Sequence, residues 1–154
     1  MIYINIDEID LSILKELSKD ARTPLSSISS KVNLSVPAIS ERIKKLEKGG
    51  YINKYTTVLE PKMFNKNLIC FCLITLKYDE ERLEVFKEIV KSEPDILECH
   101  CITGEYEYLL KIITDGPESL EKLLSFIRRK ALVLTSSTSI SLSTLKNEIS
   151  YQPK

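Results

Sequence analysis

Apolar residues in the first fifty positions recur at intervals of three and four, which predicts three short amphipathic helices. The first helix follows Asp7, and Asp10 stands three residues later, as in a capping box. The second helix begins near Pro24, which suits a first turn because its missing N–H costs nothing there. Asn33 ends this helix, since asparagine tolerates the left-handed backbone conformation better than most residues.

The third predicted helix is the stretch "SVPAISERIKKLEKGG", residues 35–50. Ser35 is a suitable N-cap, Pro37 lies in the first turn, and the two glycines after Lys48 end the helix. Three apolar side chains share one side of it: Ile39, Ile43 and Leu46. About three residues separate the second helix from the third, and this spacing is typical of a helix-turn-helix.

A different pattern begins after the polar segment "KMFNKN", which we interpret as a linker between two domains. The segment before it, "INKYTTVLEP", has the composition of a strand and ends at Pro61. We therefore predict an N-terminal domain of residues 1–60, including this connecting strand, and a second domain of residues 61–154.

The second domain alternates between strand and helix patterns in the order β-α-β-β-α-β. This order predicts the ferredoxin-like split unit, and with the N-terminal helices it gives an α+β fold. Its first strand, "NLICFCLITLKY", is apolar on both faces, whereas the two helices can cover only one face of the sheet. We therefore expect a second subunit to cover the other face.

The formal net charge of the whole chain is zero, but the basic residues are concentrated in one segment. Residues 1–30 carry a net charge of −2, from three basic and five acidic side chains. Residues 31–54 carry a net charge of +4, from six basic and two acidic side chains. Because this segment contains the third predicted helix, the charge distribution favours a polyanionic partner such as DNA.

In a helix-turn-helix, the outward side of the second helix enters the major groove of DNA. Ser40, Glu41 and Lys44 are suited to hydrogen bonds with base edges. Four basic residues are better placed for phosphates, which confer affinity rather than sequence preference: Arg42, Lys45, Lys48 and Lys54. The predicted DNA-binding set is Ser35, Pro37, Ser40, Glu41, Arg42, Lys44, Lys45, Lys48 and Lys54. A solvated surface helix is the alternative, and the adjacent helix, tight turn and local charge argue against it.

Two Cys-x-Cys pairs, Cys70 with Cys72 and Cys99 with Cys101, resemble a set of zinc ligands. In the predicted sheet a third strand separates the two strands that carry them, which places the pairs roughly 9–10 Å apart. That distance is too long for a tetrahedral zinc site or a disulfide. We therefore predict buried apolar cysteines and no metal site, with a site shared between subunits as the alternative. His100 points away from its cysteine neighbours and forms no catalytic pair with them.

The sequence contains no apolar run of the roughly 20 residues needed to cross a bilayer, and its start has no secretory pattern. We therefore expect a cytoplasmic protein whose cysteines are reduced. It also has no glycine-rich phosphate loop, GxSxG elbow or HExxH pair, so no cofactor or enzyme class is indicated.

Four stretches of the chain together resemble the leucine-responsive regulatory protein/AsnC (Lrp/AsnC) family of bacterial and archaeal transcription regulators. They are "IDEIDLSILKELSKDAR", "VNLSVPAISERIKKLEKGGYINKY", "ITGEYEYLLKI" and "TSSTSISL". The resemblance implies a winged helix-turn-helix that binds double-stranded DNA, followed by a RAM-type domain that forms a dimeric α/β-barrel. It further implies homodimers, often assembled into octamers, with a small amino-acid effector bound between subunits.

The resemblance also implies that the effector site lies at the Gly104 turn, whose backbone N–H groups meet the ligand carboxylate. Glu107 stands where the family usually has an aspartate that pairs with the ligand ammonium, and its side chain is one methylene longer. The other implied site residues are Tyr106, Tyr108, Ser136 and Thr138. The glycine that often precedes the last strand in the family is absent from "RRKALVLTSS", which alters the expected loop. A plain hairpin turn with strand tyrosines is the alternative.

The function that these observations favour is a sequence-specific transcription regulator modulated by an amino acid. The alternative is an architectural DNA-wrapping protein without an effector, which would bind DNA with little sequence preference. A few chains with the same pair of domains are tetrapyrrole decarboxylases. We disfavour an enzyme because this chain has one histidine and keeps a basic recognition helix.

Overall fold

The computed structural model describes residues 5–153. The described chain forms two compact units. One unit holds the residues up to Val58 together with the stretch from Lys146 onward, and the other is Leu59–Leu145.

The first unit contains the three predicted helices: α1 (Glu8–Lys19), α2 (Leu25–Val32) and α3 (Val36–Lys48). The predicted capping box is present at α1, where Asp7 and Asp10 each accept from the other's backbone N–H, at 2.8 and 3.2 Å. Asn33 follows α2 with a φ of 53°, in the left-handed region. Pro24 precedes α2 as its N-cap, one position earlier than the expected first turn.

The helices of this unit enclose a small apolar core. Its buried residues are Ile13, Ile28, Ile39, Ile43 and Leu46. The last three are the apolar side of α3 that the sequence predicted, so the opposite side of α3 faces away from the core. Gly50 follows α3 with a φ of 76°, a conformation that favours glycine and ends the helix.

The expectation of a strand before Pro61 is not met by the single chain. Residues 53–60 take no part in a β-ladder, and Pro61–Phe64 form a turn of 3₁₀ helix at the start of the predicted polar linker. A strand requires a hydrogen-bonded partner, and this extended stretch finds none within the described chain.

The second unit has the predicted β-α-β-β-α-β order. Its elements are β1 (Leu68–Leu76), α4 (Glu80–Ser92), β2 (Ile96–Cys101), β3 (Tyr108–Thr114), α5 (Pro117–Ala131) and β4 (Val133–Ile140). The four strands form one antiparallel sheet in the order β2-β3-β1-β4. The strand β1 is therefore flanked by β3 on one side and by β4 on the other.

Helices α4 and α5 cover one face of this sheet. The core between them and the sheet includes Cys70, Cys72 and Ile74 from β1, Phe86 from α4 and Ile127 from α5. Alternate residues of β1 point to the opposite face, where Phe71 is 40% exposed. This second apolar face, formed by Ile69, Phe71 and Leu73, is called the open face below.

The cysteines occupy one sheet, as expected, with β3 between the strands that carry them. Leu110 of β3 pairs with Cys72 on one side and with Cys99 on the other. Cys70 is buried, and burial raises the pKa of its thiol to about 11. The expectation of burial is wrong for Cys101, which is exposed at the end of the edge strand β2.

His100 points away from the cysteines, since it pairs with Leu109 and lies on the other face of β2. Its Nε2 is 3.2 Å from the carboxylate of Glu98, which also accepts from Lys111 at 2.8 Å. Over residues 5–153, no helix is long and apolar enough to cross a membrane. Nor does any group of three or more His, Cys, Asp or Glu residues in this range form a metal site.

Candidate nucleic-acid interface and effector site

The outward side of α3 is built on a well-capped start. The Oγ of Ser35 accepts from the backbone N–H of Ala38 at 3.4 Å, so this hydroxyl is engaged in the helix cap. Pro37 lies in the first turn and is exposed, whereas Ser40 is half-buried on the flank. Four residues expected on one side of the helix are all exposed in the structure: Pro37, Glu41, Lys44 and Lys48.

Glu41 and Lys44, two of the predicted base contacts, form an ion pair with each other. The Lys44 Nζ lies 2.7 Å from the Glu41 Oε1, and this hydrogen bond raises the pKa of Lys44. Both side chains are strongly exposed, at 66% and 73%. An exposed pair one helical turn apart contributes little free energy, so either side chain is available to a new partner.

Two further predicted DNA contacts, Lys48 and Lys54, are exposed at and beyond the end of α3. Next to these lysines in the chain, the Tyr55 hydroxyl donates to Glu47 at 2.8 Å. Burial and the Glu47 carboxylate together raise the pKa of Tyr55 to about 12. Tyr55 was not predicted from the sequence, and its contact holds the chain after α3 against the last turn of that helix.

Arg42, a predicted phosphate contact, binds two aspartates at the start of α1 in the structure. Its Nη1 donates to both carboxylate oxygens of Asp7, at 2.8 and 3.0 Å, and to Asp10 Oδ1 at 2.7 Å. The guanidinium therefore lies against the start of α1 and is not directed outward. Lys45 is exposed, and its Nζ lies 3.4 Å from the backbone oxygen of Asn5. The two residues share the flank of α3 that faces this segment.

The second candidate site lies at the turn between β2 and β3. Gly104 has a φ of 118°, which an L side chain rarely adopts, and a Cβ built there would meet nothing within 4 Å. Glycine is therefore required by the backbone conformation, and the space beside the turn is open. The backbone N–H of Ile102 donates to the Glu107 carbonyl at 2.8 Å and closes the turn.

The residues that follow Gly104 lie against the end of β1. The backbone N–H of Glu107 donates to the Ile74 carbonyl, and the Glu107 carboxylate accepts from the Leu76 N–H, both at 3.0 Å. Tyr106 is half-buried. Tyr108 points to the helical side of the sheet and packs on Phe86, with ring centroids 4.9 Å apart, so its ring belongs to the core.

Ser136 and Thr138 lie on β4, on the other side of β1. Ile74 pairs with Tyr108 of β3 and with Ser136 of β4, so a single β1 residue separates the two groups. The Thr138 hydroxyl donates to the buried Cys72 Sγ at 3.2 Å, while Ser136 borders a small cavity beside Arg128. The predicted effector residues thus lie near the end of β1, in the turn before β3 and on the strands at either side of β1.

Two family models match the chain, one over the N-terminal helices and one over the part that contains the sheet. Residues 6–53 match the family described as winged helix-turn-helix DNA-binding. Residues 69–151, more than half of the chain, match the family described as Lrp/AsnC ligand binding domain.

Similar proteins are found among transcription regulators. The chain is 38% identical to the HTH-type transcriptional regulator FL11 of Pyrococcus abyssi over 124 residues, covering 80% of this chain and 81% of that one. It is 36% identical to the leucine-responsive regulatory protein of Escherichia coli over 121 residues, covering 78% and 74% of the two chains.

Two solved structures of similar fold contain L-methionine. One is a transcriptional regulator from Neisseria meningitidis, with a TM-score of 0.90, 26% identity and 96% of both chains covered. The other is a feast or famine regulatory protein from Mycobacterium tuberculosis, with a TM-score of 0.86 and 28% identity, covering 97% of this chain and 100% of that one.

Proposed function

Because the chain belongs to the Lrp/AsnC family of DNA-binding transcription regulators, and so is not an enzyme, we propose that α3 is its recognition helix. Ser40, Glu41 and Lys44 contact base edges from the middle of this helix. Glu41 accepts from cytosine N4, and Lys44 donates to guanine O6 or N7. The exposed ion pair between them opens when DNA binds.

Phosphate contacts come from the exposed lysines around this helix. Lys48 and Lys54 lie at and beyond the end of α3, and Lys45 lies on its flank. Ser35 and Pro37 stand at the start of the helix, where they border the groove. Arg42 is left out of this set because its guanidinium is held by Asp7 and Asp10. These contacts supply affinity that falls with salt and does not depend on sequence.

The observation that carries this proposal is the division of α3 into two sides. Ile39, Ile43 and Leu46 are at most 8% exposed, whereas Lys44 and Glu41 are at least 66% exposed. A segment of net charge +4 thus presents its polar side to solvent beside a tight helical turn. This arrangement complements the negative charge of DNA and suits a helix that enters the major groove.

We further infer that a small amino acid binds at the Gly104 turn and adjusts DNA affinity or assembly. In this proposal the backbone N–H groups of the turn bind the ligand carboxylate, and Glu107 pairs with the ligand ammonium. Tyr106, Ser136 and Thr138 border the ligand, whereas Tyr108 supports the site from the core. The support is the placement of these residues around the end of β1 and the L-methionine in two similar proteins.

The open face supports the proposal that the chain forms homodimers, which then assemble further into octamers. Phe71 is 40% exposed between the partly buried Ile69 and Leu73, on a face that α4 and α5 do not cover. A second copy of the sheet would bury this apolar strip. In such an assembly a second subunit would border the open space beside the Gly104 turn.

The test is DNA binding measured by fluorescence anisotropy across a salt series. One duplex carries the gene's own upstream region, and the other is a scrambled duplex of equal length. We expect tighter binding to the upstream duplex and a steep dependence on salt for both. Equal affinity for the two duplexes would instead favour the architectural alternative, and absence of binding at low salt would overturn the assignment of α3.

A further inference from the structure

We propose that Arg42 is a positioning residue, which fixes the rotation of α3 by binding the start of α1 and makes no contact with DNA. This proposal rests on the proposed function, because it takes α3 as the recognition helix. It assigns to Asp7 and Asp10 an indirect part in sequence preference, although both lie at the start of α1 and not on α3.

The geometry joins two helices through one nitrogen. Arg42 Nη1 donates to Asp10 Oδ1 at 2.7 Å and to the Asp7 carboxylate at 2.8 and 3.0 Å. The same two carboxylates form the capping box of α1, where each accepts a backbone N–H of the other residue. The guanidinium is thus attached to a rigid helix start that its neighbours already hold in place.

The Asp10 carboxylate in this contact is buried, so it requires a cation beside it. The side chain of Asp10 is only 1% exposed and that of Arg42 is 28% exposed, in contrast to the exposed Lys44–Glu41 pair on the outward side. A buried carboxylate without its cation is strongly destabilised, since the desolvation of its charge is no longer compensated. The hydrogen bonds that Arg42 donates to Asp10 and Asp7 raise the pKa of Arg42, which remains charged at any working pH.

A second contact ties the same flank of α3 to the same segment. The Lys45 Nζ lies 3.4 Å from the carbonyl oxygen of Asn5, two residues before Asp7. Arg42 and Lys45 are three residues apart and so adjacent on the helix surface. Both contacts therefore hold the same flank of α3 against the start of α1 and oppose rotation of α3 about its own axis.

The apolar core alone does not fix this rotation. Ile39, Ile43 and Leu46 attach α3 through burial, which is favourable but not directional. Charge-assisted hydrogen bonds are directional, and each residue of a helix is displaced by about 100° from the next. A modest rotation would therefore move Glu41 and Lys44 away from their base edges while leaving the core buried.

The experiment compares the affinities of full-length variants for the upstream and scrambled duplexes across a salt series. The informative variant is Asp10→Asn, because it removes a negative charge from a helix that does not enter the groove. If Arg42 bound phosphate, this variant would bind each duplex as tightly as the unmodified protein does, or slightly more tightly. If Arg42 positions α3, Asp10→Asn should lower the preference for the upstream duplex about tenfold, as expected within one ion-pair network.

Four further variants complete the design. Arg42→Gln should lose the same preference without changing the salt slope, and the double variant with Asp10→Asn should lose no more than either single variant. Arg42→Lys keeps the charge and should still lose preference, because one ammonium does not reproduce the guanidinium geometry. Asp7→Asn removes the charge of the more exposed carboxylate. It should cause a smaller loss of preference, and it serves as the test if the other variants fold poorly.

Lys48→Gln is the control. It should weaken binding to both duplexes by the same factor and make the dependence of affinity on salt shallower. Far-UV circular dichroism and the melting temperature verify that each variant is folded at the assay temperature. A preference unchanged in Arg42→Lys, Asp7→Asn and Asp10→Asn would overturn the positioning role alone. An unmodified protein that prefers neither duplex would overturn the proposed recognition helix as well.

Discussion

The carboxylate of Glu107 accepts a hydrogen bond from the backbone N–H of Leu76, with 3.0 Å between Oε2 and N. The pairing of β1 with β4 shifts register between Thr75 and Leu76, so this bond satisfies a backbone donor at an irregular point of the sheet. The longer glutamate side chain thus has a structural role, through one oxygen, at the position where a ligand ammonium is proposed to bind.

Two substitutions separate these roles of Glu107. Glu107→Gln keeps an oxygen acceptor for Leu76 but removes the charge, so we expect an unchanged melting temperature and an amino-acid response weakened at least about tenfold. Glu107→Ala should lose the response and also lower the melting temperature. Calorimetric titration with a panel of amino acids measures the response, with Glu105→Gln in the same turn as the control. A full response in Glu107→Gln would place the ammonium partner elsewhere.

Base recognition by Glu41 and Lys44 predicts a change in which sequences bind. Replacing either with alanine should relax discrimination at one base pair, by about 1–3 kcal/mol. Selection from a randomised duplex library measures this discrimination. The control pair is Glu88 and Lys91 on α4, which form a similar exposed ion pair at 3.6 Å. Identical selected sequences for Lys44→Ala and the unmodified protein would remove Lys44 from the base contacts.

Phosphate contacts by Lys48 and Lys54 predict a different outcome. Each alanine substitution should weaken binding to every duplex by a similar factor and reduce the slope of log K against log salt by about 0.9. Anisotropy titrations at several salt concentrations give this slope. Lys91→Ala provides the control of equal charge change. Slopes that match the control would mean that these lysines lie away from the DNA backbone.

The open face predicts that Phe71→Asp will separate subunits. Phe126 on α5 is a matched control, because it is 38% exposed where Phe71 is 40% exposed, but lies on the helical side of the sheet. A buried charge without a partner strongly opposes association, so Phe71→Asp should convert dimers to monomers at micromolar concentration, whereas Phe126→Asp should leave dimers intact. Sedimentation velocity measures both. Dimers that persist in Phe71→Asp would place the interface on another surface.

The Asp7 carboxylate predicts acid sensitivity of the N-terminal helices. The backbone N–H of Asp10 and, next, Arg42 hold the pKa of Asp7 below its usual value of 3.8. A lowered pKa in the folded state stabilises the fold above the unfolded pKa, and this contribution is lost as the pH falls through the folded value. The melting temperature should therefore drop below about pH 4, and less steeply in Asp7→Asn. If the melting temperatures of Asp7→Asn and of the unmodified protein fell equally steeply between pH 5 and pH 2, this role of Asp7 would be contradicted.

The elements of this fold follow from short-range patterns in the sequence. Asp7 and Asp10 form a cap within three residues, and Asn33 ends α2 by its own backbone conformation. The alternation in β1 and the helical spacing in α4 and α5 likewise predicted the order β-α-β-β-α-β. Such features are predictable because the interacting groups are neighbours in the chain, where geometry is set by helix and strand periods.

The partners of individual side chains depend on tertiary structure. Arg42 has the charge and helical position of a phosphate contact, yet it meets aspartates 32 and 35 residues away. Thr138 donates to Cys72, 66 residues away. Residues 53–60 join no strand within the described chain, although their composition suits one. Local patterns in the sequence therefore account for the five helices, the four strands of the sheet and the local charge among the described residues. Only the packing of those elements decided which charges face each other and which face solvent, because that choice depends on contacts between distant residues.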